Sequence, residues 1–309
     1  MYTQPIHFER ALKDHAAKVV EQDGGTIQAV MRGFFFQRLT ARLFTAEPEG
    51  WLLKGGQALL ARYPSGARLS TDIDLQGLHG TIEEAYAALL AGAAVDLRDH
   101  LRFVPKRMKR QGKDGDGIMQ AFEVNIGSRP VLSLHVDLVT GKNVTADPAT
   151  FQLMPRPDLP WPTEWPPILL YPVVDHLADK ICAMYEWHRN APSSRHRDLA
   201  DILLISQNET IDAAAAHHAL HAEVAFRLRA GTDLRMPAKF EMPARGWRDG
   251  YAEAAKDVAG LNGCATWTSA EFSAAAFITP LLGEAFRGTW HPDKSDWARE
   301  ERQVPRVEQ

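Results

Sequence analysis

Asp72 and Asp74 flank Ile73 in the stretch WLLKGGQALLARYPSGARLSTDIDLQ, residues 51–76. In an extended chain alternate side chains share a face, so the two aspartates point one way and Ile73 points into a core. Carboxylates held side by side repel each other. A divalent cation removes that cost, and Mg²⁺ prefers carboxylate oxygens while keeping positions for water or substrate phosphates. Just upstream stand Lys54, Gly55 and Gly56. Glycine lets a phosphate approach the backbone, and a helix starting there offers free N–H donors. A phosphate grip beside metal-holding carboxylates is the minimum apparatus for attack on a nucleoside triphosphate.

A second block lies more than a hundred residues downstream. Lys180 sits in HLADKICAMYEW, and Arg195, Asp198 and Asp201 sit in SSRHRDLADILLI. Leu177, Ile181 and Met184 fall at helical spacing beside Lys180, which predicts an ammonium carried next to a core face. Asp198 and Asp201 share a face of the next helix, as do Arg195 and Asp198.

The order Gly-Gly, spacer, Asp-x-Asp resembles the polymerase-β-type nucleotidyltransferase superfamily. With the lysine helix and R-x-x-D-x-x-D, residues 51–204 resemble the AbiEii/AbiGii family, the toxin half of abortive-infection toxin–antitoxin pairs. That family includes mycobacterial nucleotidyltransferases that modify tRNA. The 56-to-72 spacer is longer than in many superfamily members and admits a turn at Pro64-Ser65-Gly66.

The resemblance implies an α+β fold. A polymerase-β-type core with a small mixed sheet would precede a mainly helical C-terminal lobe. It also implies Mg²⁺, a nucleoside triphosphate (NTP) as substrate, and a cognate antitoxin as partner. Asp72, Asp74, Lys180 and Asp198 would be catalytic, with Lys180 reaching a cleft between lobes to neutralise the triphosphate. Asp198 would orient Lys180, Arg197 or the attacking hydroxyl. Lys54, Gly55, Gly56, Ser70 and Arg197 would bind the nucleotide. Asp137 would be the third metal ligand beside Asp72 and Asp74, because superfamily members draw one from a neighbouring strand. The implied acceptor is the 3′ end of tRNA, whose blockage stops aminoacylation and translation. Some members of the family are silenced by phosphorylation beside Asp-x-Asp, which here points to Ser70 or Thr71.

The elements that must position these residues are readable in outline. Two helices are expected over 6–46, the second rich in phenylalanine. Strands are expected at Trp51–Leu53, Ser70–Leu75, Leu101–Lys106, Ile118–Ile126 and Val131–Thr140. In the last, Leu132, Leu134, Val136 and Leu138 take one face, and Ser133, His135 and Asp137 the other. Helices are expected at Gln57–Tyr63, Thr81–Gly92, Val173–His188, Ser194–Ile205, Ile211–Arg229, Trp247–Val258 and Ser269–Phe286. Seven prolines among residues 154–172 predict a strap or linker, packed through Trp161 and Trp165. The expected domains are 1–153 and 173–309. The charged tail after Trp290 is expected to be loosely docked.

With 309 residues, 45% apolar and 24% charged, the chain has the composition of a globular protein with a large core. Two cysteines give neither a disulfide framework nor metal-ligand spacing, and no apolar run reaches membrane-spanning length. A reducing cytoplasm and no membrane partner are therefore expected. Twelve histidines do not make a zinc site, since His217, His218 and His221 lie on an alanine-rich helix without cysteine.

The net charge of −4 does not advertise nucleic acid, but seven lysines and arginines fall between Arg98 and Lys113. Arg107, Lys109, Arg110 and Arg195 are the candidate RNA contacts, against the plainer reading of a solvated hairpin tip. Two alternatives to tRNA transfer stand beside it: nucleotidylation of a protein side chain, and a non-catalytic module that binds nucleotide or antitoxin.

Overall fold

The computed structural model describes residues 2–111, 117–153, 159 and 165–299. The chain forms two compact units. The first comprises residues 1–143 and 148–171, and the second residues 144–147 and 172–309.

The first unit is built on a seven-stranded mixed sheet in the order β3-β4-β5-β2-β1-β7-β6. The strands are β1 (Trp51–Lys54), β2 (Ile73–Gly77), β3 (Leu101–Gln111), β4 (Gly117–Ile126), β5 (Arg129–Val139), β6 (Ala149–Gln152) and β7 (Pro167–Leu170). β2 runs parallel to β5, and β1 parallel to β7. Among the described residues this unit holds the helices α1 (Pro5–Asp23), α2 (Ile27–Ala46), α3 (Gly55–Arg62) and α4 (Ile82–Ala93). Thr81 and Glu84 form a reciprocal capping box that fixes the start of α4.

The alternation expected in β5 is present: Leu134, Val136 and Leu138 are buried, while Ser133 and His135 are exposed. β4 continues it, with Ile118, Phe122 and Val124 in the core and Met119 and Glu123 half-buried. The phenylalanines of α2 fill that core. Arg38 and Arg42 of α2 both reach the buried Asp99, and burial pulls the Arg38 guanidinium down to about 10 although Asp99 opposes it.

Several boundaries differ from expectation for identifiable reasons. β2 begins at Ile73, not Ser70, because the Ser70 hydroxyl bonds the Asp72 carbonyl and carboxylate and curls the chain there. Gly55 and Gly56 are the first residues of α3, not a separate turn. β3 runs on to Gln111 through a register shift between Pro105 and Met108. The proline-rich stretch contributes β7, and Trp165 packs on the core under the Arg38 guanidinium, 4.5 Å from the ring centroid. Trp161 lies outside the described residues, as do Lys113 and the chain beyond Arg299.

The second unit holds α5 (Val173–Met184), α6 (His196–Asn208), α7 (Ala213–Arg229), α8 (Trp247–Ala255) and α9 (Trp267–Leu282). It also holds two small sheets. β8 (Glu186–His188) lies between β9 (Ala191–Pro192) and β11 (Asp233–Leu234), while β12 (Gly288–His291) pairs with both β10 (Ile211–Asp212) and β13 (Asp296–Arg299). α5 therefore stops at Met184 rather than His188. The segment after Trp290 is docked, not loose, up to Arg299. Trp290 and Trp297 are buried around Phe277, and their indole N–H groups donate to Ser206 and Phe277 carbonyls. Among the described residues no helix is long and apolar enough to cross a membrane.

Candidate active site

Strand register assembles the first group of residues. Lys54 of β1 lies opposite Asp74 of β2, Asp74 opposite Asp137 of β5, Asp137 opposite Met119 of β4, and Met119 opposite Lys109 of β3. Residues paired in this way share a face, so one row across five strands reads Lys109, Met119, Asp137, Asp74, Lys54. It is the face opposite the buried one. Asp72 sits just before β2, where Ser70 Oγ donates to its carboxylate at 3.1 Å. Gln111 Nε2 donates to Asp137 Oδ1 at 3.2 Å.

The glycines have a steric reason to be where they are. Gly55 has φ +58°, a conformation that disfavours side chains, and any β-carbon there would overlap the Asp74 carboxylate. A β-carbon on Gly56 would lie 2.8 Å from Ser70. The first turn of α3 thus closes directly onto Asp74 and Ser70. Lys54 is held with its ammonium 4.2 Å from the centre of the Tyr171 ring, and Tyr171 N–H donates to the Leu53 carbonyl at 2.9 Å.

Burial raises the Asp137 carboxyl above its ordinary range, and the charge of Asp72 raises it further; Gln111 and His135 oppose them. Among the described residues no three His, Cys, Asp or Glu already form a cation cage. Asp72, Asp74 and Asp137 are all carboxylates, the donor chemistry that a hard cation takes.

The second group lies in the other unit. Lys180 of α5 is 6% exposed and its ammonium donates to Asp198 Oδ1 at 3.0 Å and Asp201 Oδ2 at 2.7 Å, both on α6. Arg195 Nε donates to Asp198 Oδ2 at 2.5 Å. Burial would lower the Lys180 ammonium, but Asp198 and Asp201 outweigh it and the net direction is up. Burial would raise Asp198, but Lys180 and Arg195 bring it down. Lys180 is therefore a locked member of a buried cluster, beside the core face that its helical spacing indicated. The sequence motif contains Asp201, yet nothing in its spacing shows that it, with Asp198, grips the lysine.

The basic stretch is divided. The register shift at Pro105/Met108 reverses which positions of β3 face the core. Lys109 and Gln111 join the Asp137 face, whereas Arg110 pairs with Ile118 on the opposite face and binds Glu83 of α4 at 2.6 Å. Arg107 is exposed inside the bulge. Arg195 is engaged by Asp198, and Arg197 is exposed with Asp257 at 3.9 Å. His217 and His221 contact one another at 3.1 Å on α7. Gln111 and Tyr171 had no signal in the sequence; strand register brings Gln111 to Asp137, and the backbone bond to Leu53 brings the Tyr171 ring to Lys54.

A model of the nucleotidyl transferase AbiEii toxin family, from type IV toxin–antitoxin systems, matches residues 37–274. Among solved structures the chain is similar to MenT4, a nucleotidyltransferase toxin from Mycobacterium tuberculosis H37Rv. The TM-score is 0.55 at 14% identity, covering 87% of this chain and 97% of that one. JHP933 from Helicobacter pylori matches at TM-score 0.41 and 12% identity, covering 75% of this chain and 90% of that one. No curated protein matches the sequence. The MenT4 likeness shows a shared fold, and the family match spans both units.

Proposed function

This chain belongs to the nucleotidyl transferase AbiEii toxin family of type IV toxin–antitoxin systems, and from that premise we propose that it transfers a nucleoside monophosphate from an NTP to the 3′-terminal hydroxyl of tRNA. The acceptor oxygen forms a bond to the α-phosphorus. The bond from that phosphorus to the α,β-bridging oxygen breaks, pyrophosphate leaves with the electron pair, and the hydroxyl proton passes to water. Asp72, Asp74 and Asp137 are the residues that would hold Mg²⁺, which when bound supplies positive charge against the phosphates. Gly55 and Gly56, at the start of α3, present backbone N–H groups to the triphosphate, with Ser70 and Lys54 beside them. Lys180, held by Asp198 and Asp201, and Asp198 itself are assigned as the catalytic positions of the second block. Arg197 is assigned to the nucleotide, and Arg107, Lys109 and Arg195 to RNA phosphates. A cognate antitoxin partner and a cytoplasmic setting belong to the same reading.

The observation that carries it is the register pair Asp74–Asp137 set against the glycine-built start of α3. The test is incubation of the protein with total tRNA, Mg²⁺ and each α-labelled NTP in turn. Label should enter the tRNA band, vanish with chelator, and vanish with Asp74→Asn in a folded variant. Label in the protein band instead would move the acceptor to a side chain. No label in either band with any nucleotide would overturn the enzymatic reading.

A further inference from the structure

Two histidines one turn apart on α7 bring their ring nitrogens together. His221 Nε2 lies 3.1 Å from His217 Nε2 while the ring centres are 4.2 Å apart, so the rings converge at their nitrogen-bearing ends. The carbonyl oxygen of Gly283, the residue that ends α9, lies 3.2 Å from the same His217 Nε2. We propose that His217 and His221 form a site for one divalent transition-metal ion of the Cu²⁺, Ni²⁺ or Zn²⁺ class, with the Gly283 carbonyl as the third protein donor. The site is made of different residues from the carboxylates assigned to Mg²⁺ and does not depend on nucleotidyl transfer.

The spacings are those of ligands around one ion. With bonds of about 2.0–2.1 Å, two donors stand about 2.9 Å apart at a right angle and about 3.3 Å apart at the tetrahedral angle. Both contacts of His217 fall between those values. Hydrogen bonding serves the three atoms less well. A proton on His217 Nε2 is aimed either at the carbonyl or at His221, whereas a cation meets a lone pair on each.

The fold holds these donors in place. Side chains four residues apart are neighbours on a helix surface. The Asp212 carboxylate caps α7 by accepting from the Ala215 N–H at 2.7 Å, and Ala216 and Leu220 bury the adjoining face. His217 is half-buried and His221 exposed, so the site opens to solvent. At the end of α9 carbonyls have no partner within the helix, which leaves that of Gly283 to accept a ligand role. The helix lacks the cysteine of a closed structural zinc site, as its sequence indicated; this site is open, with water completing it. Among the described residues no third His, Cys, Asp or Glu joins the pair. Imidazole nitrogens favour borderline transition ions over Mg²⁺, which prefers oxygen. An ion bound here ties α7 to the end of α9.

The test uses the full chain without an affinity tag. Ni²⁺ is titrated calorimetrically into wild type, His217→Gln, His221→Gln and His218→Gln, with metal-free melting curves as a check on folding. Glutamine keeps helix propensity, and none of the three histidines lies in the core. Wild type and His218→Gln are expected to bind Ni²⁺ alike, and His217→Gln and His221→Gln at least tenfold more weakly. Ni²⁺ should raise the melting temperature of wild type and not that of His221→Gln, and excess Mg²⁺ should not displace it. With one equivalent of Cu²⁺, electron paramagnetic resonance should show coupling to two imidazole nitrogens, falling to one in His221→Gln. Absence of Ni²⁺ binding, equal affinity in wild type and the His217 and His221 variants, or coupling to a single nitrogen in wild type overturns the proposal. An equal loss in His218→Gln overturns it too, since His218 lies outside the converging pair.

Discussion

Asp137 carries a carboxyl whose ionisation the fold opposes, first by burial and then through Asp72. A carboxyl with a raised folded pKa gives stability that is fully present below its unfolded pKa and lost as pH rises through the folded one. Asp137→Asn is therefore expected to melt higher than wild type at pH 7, with the difference closing as pH falls into the carboxylate range. The same substitution should abolish any rise in melting temperature caused by Mg²⁺ and should stop transfer. Lower stability of Asp137→Asn at pH 7 would show that the carboxylate is satisfied by other means. Lys180 behaves in the opposite sense. Removing it takes away the cation that Asp198 and Asp201 share and leaves Asp198 to Arg195, and breaking a buried pair typically costs about 3–5 kcal/mol. Lys180→Ala should lose that much in urea denaturation, so its activity must be read at temperatures where it remains folded. Asp198 lies below its ordinary range, so its contribution to stability is present above the unfolded carboxylate pKa and fades as pH falls through the lower folded value.

At the scale of elements, the β1–α3 junction has the least freedom. Gly55→Ala must adopt φ near +58°, costing about 1–2 kcal/mol, and must also displace Asp74. Transfer is expected to fall at least a hundredfold while circular dichroism stays native; an active Gly55→Ala would separate the glycine from the site. The strand β5 was legible because strict alternation is a strong signal over ten residues. Asp137 was legible as an outward carboxylate in such a strand. Lys109 and Arg110 were not separable, because the bulge after Pro105 switches the face of each later position and leaves no mark in composition. β8 to β11 were illegible for another reason: two or three residues make no periodic pattern, and their pairing comes from chain ends already brought together by helices. Lys180 was legible as a lysine beside the core and not as a buried one, since helical spacing set it there while its two carboxylate partners come from α6. The bulge yields a sharp contrast. Lys109→Ala should weaken tRNA use severalfold, whereas Arg110→Ala should mainly loosen its exposed, solvent-screened pair with Glu83 and leave the melting temperature nearly unchanged.

For the whole molecule, the net charge of −4 means that tRNA cannot be gathered by a general positive field. If tRNA is the acceptor, its phosphates must be met by a few local cations, and each such contact releases counterions. The slope of log affinity against log salt then falls by about 0.7–0.9 per phosphate contact. Binding of tRNA by filter retention should weaken steeply between low and physiological salt. Arg107→Ala with Lys109→Ala should make the slope shallower by nearly two contacts, since both residues are exposed on β3. Binding of NTP, read by calorimetry in the same variants, should change little, because the start of α3, proposed above to face the phosphates, is untouched. A salt slope identical in wild type and double variant would take β3 out of RNA recognition. A wild type with no salt dependence at all would argue that the acceptor is not a polyanion, and a protein hydroxyl would become the acceptor the chemistry favours.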